Sequence, residues 1–163
     1  MKGLIVFDSY YGNTKKVAEA ILEQIVADGH EGELRSVKED YPTPPQGDFL
    51  FVGSPNRMSS VTGKTRRFVK KLDVSAWQNK PVVVFTTVLP LPKDDATEKA
   101  KKSAEKWILG AGLKLRDLAK ARGLNAVDKV LYLEVVDGKG PLAENALEKT
   151  KQYTHEFVQS LMK

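Results

Sequence analysis

The sequence predicts an α/β protein in which a doubly wound sheet of five parallel strands lies between two layers of helices. Short apolar runs rich in branched residues, such as Leu4-Ile5-Val6-Phe7, alternate along the chain with longer amphipathic segments. This alternation favours a parallel sheet with helices on both faces and right-handed crossovers. Since no repeat or linker-like tract divides the 163 residues, we expect a single domain over residues 1–163.

The individual elements follow from hydrophobic periodicity. The predicted strands are residues 4–7, 33–37, 49–52, 81–85 and 130–136. The predicted helices are residues 12–28, 62–72, 96–122 and 142–162. Gly110 and Gly112 are expected to kink or divide the third helix, because each glycine costs about 1 kcal/mol relative to alanine there. On that helix, Trp107 is expected in the core, and Asp94 and Asp95 are expected to cap its start.

Composition excludes several kinds of site. The chain has no cysteine, which rules out disulfides, thiolate metal sites and cysteine nucleophiles. Its two histidines, His30 and His155, lack a metal-ligand spacing, so no metal site is expected. No apolar run approaches the roughly 20 residues that span a bilayer. The first residues lack the features of a signal peptide, and a cytoplasmic protein without membrane contact is therefore expected.

The loops that follow the strands are the expected location of a ligand. In open α/β sheets, ligands bind beyond the carboxyl ends of the strands, where the strand order reverses. The first loop reads Asp8-Ser9-Tyr10-Tyr11-Gly12-Asn13-Thr14. Its short polar side chains, together with the unpaired N–H groups of a helix start, are suited to bind a phosphate dianion without a cation. The other interpretation is an ordinary capped helix after a tight turn.

Two segments resemble the flavodoxin family. Ser9 to Thr14, followed by Lys15-Lys16-Val17-Ala18-Glu19-Ala20-Ile21, is similar to the FMN-phosphate loop and first helix of flavodoxins. Gly53-Ser54-Pro55-Asn56-Arg57-Met58 resembles the family's Gly-Ser-Pro-Thr segment beside the isoalloxazine ring. Tyr11 stands where many flavodoxins have threonine, whereas the related flavodoxin-like quinone reductases often have tyrosine. The resemblance extends over the whole chain and implies the strand order 2-1-3-4-5.

The resemblance also implies a set of FMN-binding residues and no catalytic residue. The first loop supplies the phosphate site and the others border the ribityl chain and the ring: Ser9, Tyr10, Tyr11, Gly12, Asn13, Thr14, Ser54, Pro55, Asn56, Arg57, Met58, Thr86, Thr87, Val88 and Leu89. Many flavodoxins sandwich the ring between a tryptophan and a tyrosine. Because residues 53–67 and 86–106 contain no aromatic residue, the ring is expected against Met58, Leu89 or Tyr10.

The implied function is electron transfer by a flavodoxin-type FMN carrier. The alternatives are an FMN-dependent NAD(P)H:quinone oxidoreductase, with residues 88–96 at its substrate pocket, and a cofactor-free interaction module. The net charge is +5, with basic residues clustered in 62–72 and 97–122. These clusters are either solvated helix surface or a face for an acidic redox partner, and nucleic acid is not expected. The oligomeric state is left open.

Overall fold

The protein is built around one parallel sheet. The structure, a computed structural model, describes residues 1–93 and 95–163. The strands are β1 (Lys2–Phe7), β2 (Glu31–Ser36), β3 (Phe49–Pro55), β4 (Pro81–Val88), β5 (Asn125–Ala126) and β6 (Leu131–Glu134). Their order is β2-β1-β3-β4-β5, with β6 also paired to β4, and every pairing is parallel. The predicted fold class and strand order are confirmed.

The fifth strand position is divided into two segments. β5 pairs with the start of β4 at Pro81 and Val82, and β6 pairs with its end from Phe85 to Val88. Residues 127–130 therefore lie opposite only residues 83–84 of β4, so the edge bulges instead of continuing as the single strand predicted at 130–136. Val130 points from this bulge into the core.

Helices cover both faces of the sheet. They are α1 (Asn13–Ala27), α2 (Gly63–Lys71), α3 (Val74–Trp77), α4 (Glu98–Ala121) and α5 (Ala146–Leu161). Alternate strand residues point to opposite faces, so Ile5 and Phe51 pack against α1 and α5, while Leu4 and Val52 pack on the side of α2 and α4. α3 was not predicted; it buries Trp77. The described residues, which leave out 94, include no helix both long and apolar enough to cross a membrane.

α4 is one continuous helix, so the prediction that Gly110 and Gly112 could divide it is wrong. A Cβ on Gly112 would lie 2.7 Å from the Val130 side chain, and one on Gly110 would lie 3.1 Å from the Ser59 hydroxyl. The two glycines thus let α4 approach the sheet edge and the turn at Ser59 closely, and the packing gained there offsets their low helix propensity.

The first half of α4 also departs from expectation. Its buried residues, Ala111, Gly112, Leu115 and Ala119, begin only at position 111. Trp107 comes before them and is 53% exposed, so the prediction of a core tryptophan is wrong. The helix is capped by the Thr97 hydroxyl, which accepts from the Ala100 N–H at 3.1 Å, and Asp95 is not its N-cap residue. The predicted role of Asp94 lies outside the described residues.

Candidate functional site

A cavity of about 260 Å³ lies at the carboxyl ends of β1, β3, β4 and β6. This is smaller than the roughly 300–1,000 Å³ typical of ligand pockets, so a large ligand bound here would remain partly outside. Its lining comes from four segments of the chain: Ser9, Tyr10, Tyr11, Asn13, Thr14, Pro55, Asn56, Arg57, Met58, Thr87, Leu89, Val135 and Gly138. The location is the one predicted from the sheet topology.

The first loop leaves the start of α1 open. Gly12 precedes the helix with a φ of 88°, a left-handed conformation that favours glycine. α2, α3 and α4 each begin with a side chain that accepts a first-turn N–H. At α1, as at α5, no side chain among residues 1–93 and 95–163 caps the helix, but only α1 of these two begins at the cavity. The first-turn N–H groups therefore remain available for an anion, which argues against the interpretation of an ordinary capped helix.

Hydroxyl groups surround this open helix end. The Gly12 N–H donates to Ser9 Oγ at 3.1 Å, which leaves the Ser9 O–H free to donate to a ligand. Thr14 Oγ1 lies 2.9 Å from Thr87 Oγ1, and both side chains are almost fully buried yet line the cavity. Because one hydroxyl of this pair uses its hydrogen on the other, the second keeps a hydrogen to donate.

The second loop is fixed to α4 through Asn56. Its Nδ2 donates to the carbonyls of Trp107 at 2.8 Å and Ile108 at 3.1 Å. These two bonds determine the orientation of the amide, and Oδ1 is left buried without a hydrogen-bond partner in the described part of the chain. An unpaired buried acceptor on a cavity wall is suited to receive an N–H of a bound ligand.

The tip of the second loop is a strained two-residue turn. Arg57 and Ser60 exchange both backbone hydrogen bonds, at 2.7 and 3.0 Å. Met58 and Ser59 between them have φ values of 51° and 65°, which cost non-glycine residues about 1–3 kcal/mol each. Lys114 Nζ donates to the Ser59 carbonyl at 3.2 Å, and Ser59 Oγ donates to the Lys106 carbonyl at 3.1 Å. These bonds to α4 hold Met58 at the mouth of the cavity, where it is 85% exposed.

Tyr10 is an aromatic residue of the cavity wall with two positively charged side chains close to its ring. The Arg57 guanidinium lies 4.6 Å from the centre of its ring, and Lys38 Nζ lies 5.0 Å from it. Both distances are within the range of cation–π attraction. Tyr11 is also half exposed, with Lys139 Nζ at 5.8 Å from its ring centre. The apolar surfaces available to a planar ligand thus include the side chains of Tyr10, Tyr11, Met58 and Leu89.

A fourth segment, residues 135–140, completes the cavity and was not predicted. Val135 and Gly138 line it, and Asn13 Nδ2 donates to the Lys139 carbonyl at 3.1 Å. The only signal in the sequence is Asp137-Gly138-Lys139-Gly140-Pro141, which reads as an ordinary turn. Its position after the last strand of a parallel sheet is what places it at the ligand-binding edge.

Four of the predicted site residues do not line the cavity. Gly12 contributes backbone only, and its N–H is bonded to Ser9. Ser54 is fully buried, where it accepts the Thr62 N–H at 3.0 Å and so supports the second loop from behind. Thr86 and Val88 alternate with Thr87 along β4 and are buried in the sheet. The other eleven all line it.

The model of the flavodoxin domain matches residues 4–119 of the chain. The chain belongs to the flavodoxin family. This confirms the resemblance drawn from the two loop motifs. Family membership supports, in general terms, a flavin cofactor and a role in electron transfer together with redox partner proteins.

Individual flavodoxins show the same relationship. A flavodoxin from Aquifex aeolicus is 37% identical over 81 residues, which are 47% of this chain and 42% of that protein. An archaeal flavodoxin structure superimposes with a TM-score of 0.75 at 19% identity over the full length of both chains. The structure of flavodoxin 1 from Bacillus cereus superimposes with a TM-score of 0.66 at 20% identity over 98% of each chain. At these low identities, the two structural matches establish the fold alone.

The donors of this flavodoxin-family site fit a flavin phosphate chemically. The uncapped start of α1 and the hydroxyls of Ser9, Thr14 and Thr87 are hydrogen-bond donors grouped at one end of the cavity. Tyr10, Met58 and Leu89 supply apolar surface towards the other loops. A phosphorylated, planar ligand needs this combination of donors and apolar walls.

Replacement of Gly140 by alanine is expected to destabilise the fold. Gly140 has a φ of 96°, and a Cβ there would lie 2.6 Å from the Asn13 amide. The strain and the displaced amide together predict a loss of about 1–3 kcal/mol in the free energy of unfolding, measured in urea. Gly138→Ala, at a position with open space around it and no positive φ, is the matched control. Equal stability of the two variants would contradict the role assigned to the fourth segment.

Proposed function

We propose that residues 1–163 form one FMN-binding domain that carries electrons to or from a redox partner protein in the cytoplasm. The observation that carries the proposal is the open start of α1, with hydroxyl donors beside it, at the carboxyl end of β1. This arrangement suits a phosphate monoester, which riboflavin lacks. The cytoplasmic location rests on the cysteine-free composition and is part of the proposal.

Each loop has a defined part in the proposed binding. FMN, when bound, supplies the isoalloxazine ring that gains and loses electrons. Ser9, Thr14 and the first-turn N–H groups of α1 would hold its phosphate. Asn56 Oδ1 offers an acceptor for a ring N–H, and Tyr10 offers a face for the ring. In the proposed carrier, none of these groups has to move a proton.

Arg57 is expected to raise the potential of the second electron. Its guanidinium lies over Tyr10 on the cavity wall, so a positive charge faces the region proposed for the ring. A positive charge stabilises a reduced, anionic ring by about 1 kcal/mol at 4 Å in water, which corresponds to roughly 40 mV for one electron. Redox titration of wild type and Arg57→Ala should show the lower potential in the variant. Identical potentials would remove Arg57 from this role.

The basic face of α2 and α4 supports an acidic partner. Arg66, Lys70 and Lys114 line a groove between the two helices, and Lys114 also bonds the turn beside Met58, so this face borders the cavity. In the part of the chain that the structure describes, no carboxylate pairs with Lys64, Arg66, Arg67, Lys70 or Lys71. Unpaired charges of one sign steer an oppositely charged partner.

Association with that partner is therefore expected to slow as salt rises. Between about 50 and 500 mM salt, electrostatically steered association rates fall steeply, whereas unsteered rates change little. Stopped-flow oxidation of the reduced holo-protein by an acidic acceptor protein would measure the rate. A flat dependence on ionic strength would contradict the acidic partner.

One assay distinguishes the carrier function from the quinone-reductase alternative. Holo-protein mixed with NADPH and a quinone should reduce the quinone no faster than free FMN at the same concentration, because the proposed carrier has no site for NADPH. Turnover well above that of free FMN would make the protein an enzyme and overturn the carrier assignment. The assay leaves the cofactor proposal unaffected.

A further inference from the structure

A buried carboxylate stands at the start of the proposed phosphate loop. Asp8 follows Phe7, the last residue of β1, and immediately precedes Ser9; it is 1% exposed. The Ser9 N–H donates to Asp8 Oδ1 at 2.9 Å. An anion at this place opposes the binding of a phosphate, because like charges repel and low solvent exposure strengthens the repulsion. The loop therefore needs a compensating charge.

Lys38, which follows β2 in the chain, supplies that charge. Its Nζ lies 3.5 Å from Asp8 Oδ1, donates to the Ser9 carbonyl, and approaches the ring of Tyr10. One side chain thus contacts three consecutive residues of the loop from a position 29 residues further along the chain. Lys64 and Arg67 line the same small groove as Asp8, but neither forms an ion pair with it among the described residues.

We infer that Lys38 is a specificity-determining positioning residue that neutralises Asp8 and holds the Ser9 carbonyl, so that the loop accepts phosphorylated flavin in preference to riboflavin. The inference rests on the proposed binding of FMN. The proposed effect on FMN affinity comes from the charges of Lys38 and Asp8, and not only from the conformation of the loop. For that reason, changes at Asp8 and Lys38 should shift FMN affinity in opposite directions and have little effect on riboflavin.

Three variants measured with two flavins test this. Lys38→Met should weaken FMN binding by about tenfold, since it removes the ion-pair partner of Asp8, and riboflavin binding by less than about threefold. Asp8→Asn keeps an acceptor for the Ser9 N–H and should tighten FMN binding by about threefold or more. Lys71→Met, which removes a charge from the groove alongside Lys38 but away from Asp8, should stay within about twofold of wild type. Fluorescence titration at fixed ionic strength gives each dissociation constant, and circular dichroism reports whether each variant is folded.

The outcomes separate this inference from the proposal on which it rests. Equal losses for FMN and riboflavin in Lys38→Met, or a weaker FMN complex in Asp8→Asn, would overturn the role of charge while leaving FMN binding intact. If Lys38→Met fails to fold, the direction in which Asp8→Asn changes the affinity for FMN still tests the inference. A wild-type protein that binds neither flavin would overturn the proposed cofactor itself.

Discussion

Replacing Thr14 with valine is expected to weaken FMN binding about thirtyfold. The Thr14 hydroxyl is buried on the cavity wall beside the open start of α1, where it can donate to a phosphate oxygen. A hydrogen bond to a charged group contributes about 1.5–3 kcal/mol, which corresponds to a change of roughly 10- to 150-fold in a dissociation constant. Fluorescence titration with FMN measures the loss, and riboflavin should be affected much less.

Thr150→Val is the matched control for this prediction. Thr150 is also a buried helical threonine, but its hydroxyl donates to the Ala146 carbonyl within α5, at 2.8 Å. The control should keep wild-type affinity for FMN, although both variants lose some stability. If Thr14→Val binds FMN as tightly as Thr150→Val does, the phosphate is not held at the start of α1.

Replacement of Gly53 by alanine is expected to produce the largest loss of stability. Gly53 lies in β3 beside β4, and an added Cβ would be 2.1 Å from two ring atoms of Phe85. Phe85 is fully buried, so its ring has no free space into which to move. Overpacking of this kind costs about 1–3 kcal/mol and often more, which should lower the urea midpoint clearly at an unchanged slope.

Gly63→Ala provides the comparison for Gly53→Ala. Gly63 opens α2, where an added Cβ meets nothing within 4 Å, and it has no positive φ. Alanine at this exposed helical position should be neutral or slightly stabilising. A Gly53→Ala protein that is as stable as Gly63→Ala would contradict the close packing of the Phe85 ring against Gly53.

The sheet and the first two loops were predictable because their signals are local. A buried apolar run followed by Gly12 and short polar residues identifies a strand, a turn and a helix start without any tertiary information. The resulting order of elements fixes which loops share an edge. Eleven of the predicted site residues accordingly line one cavity.

The features that were missed depend on contacts between distant segments. Val130 and Ser59 approach α4 closely at its two glycines, and neither contact can be predicted from the local sequence. Trp107 is exposed because it precedes Ala111, where the buried face of α4 begins. The fourth loop reads as a turn until β6 places it beside Asn13. The sequence-based prediction included no cation at the first loop. In the structure, Lys38 from the segment between β2 and β3 pairs with Asp8 there.

Titration of the wild-type protein with FMN and, separately, with riboflavin tests the central claim most directly. The phosphate site predicts that FMN fluorescence is quenched to saturation and that FMN binds more tightly than riboflavin by about two orders of magnitude, since hydrogen bonds to a charged group contribute ~1.5–3 kcal/mol each. Equal affinity for the two flavins, or FMN fluorescence that stays at its free-solution value, would contradict it.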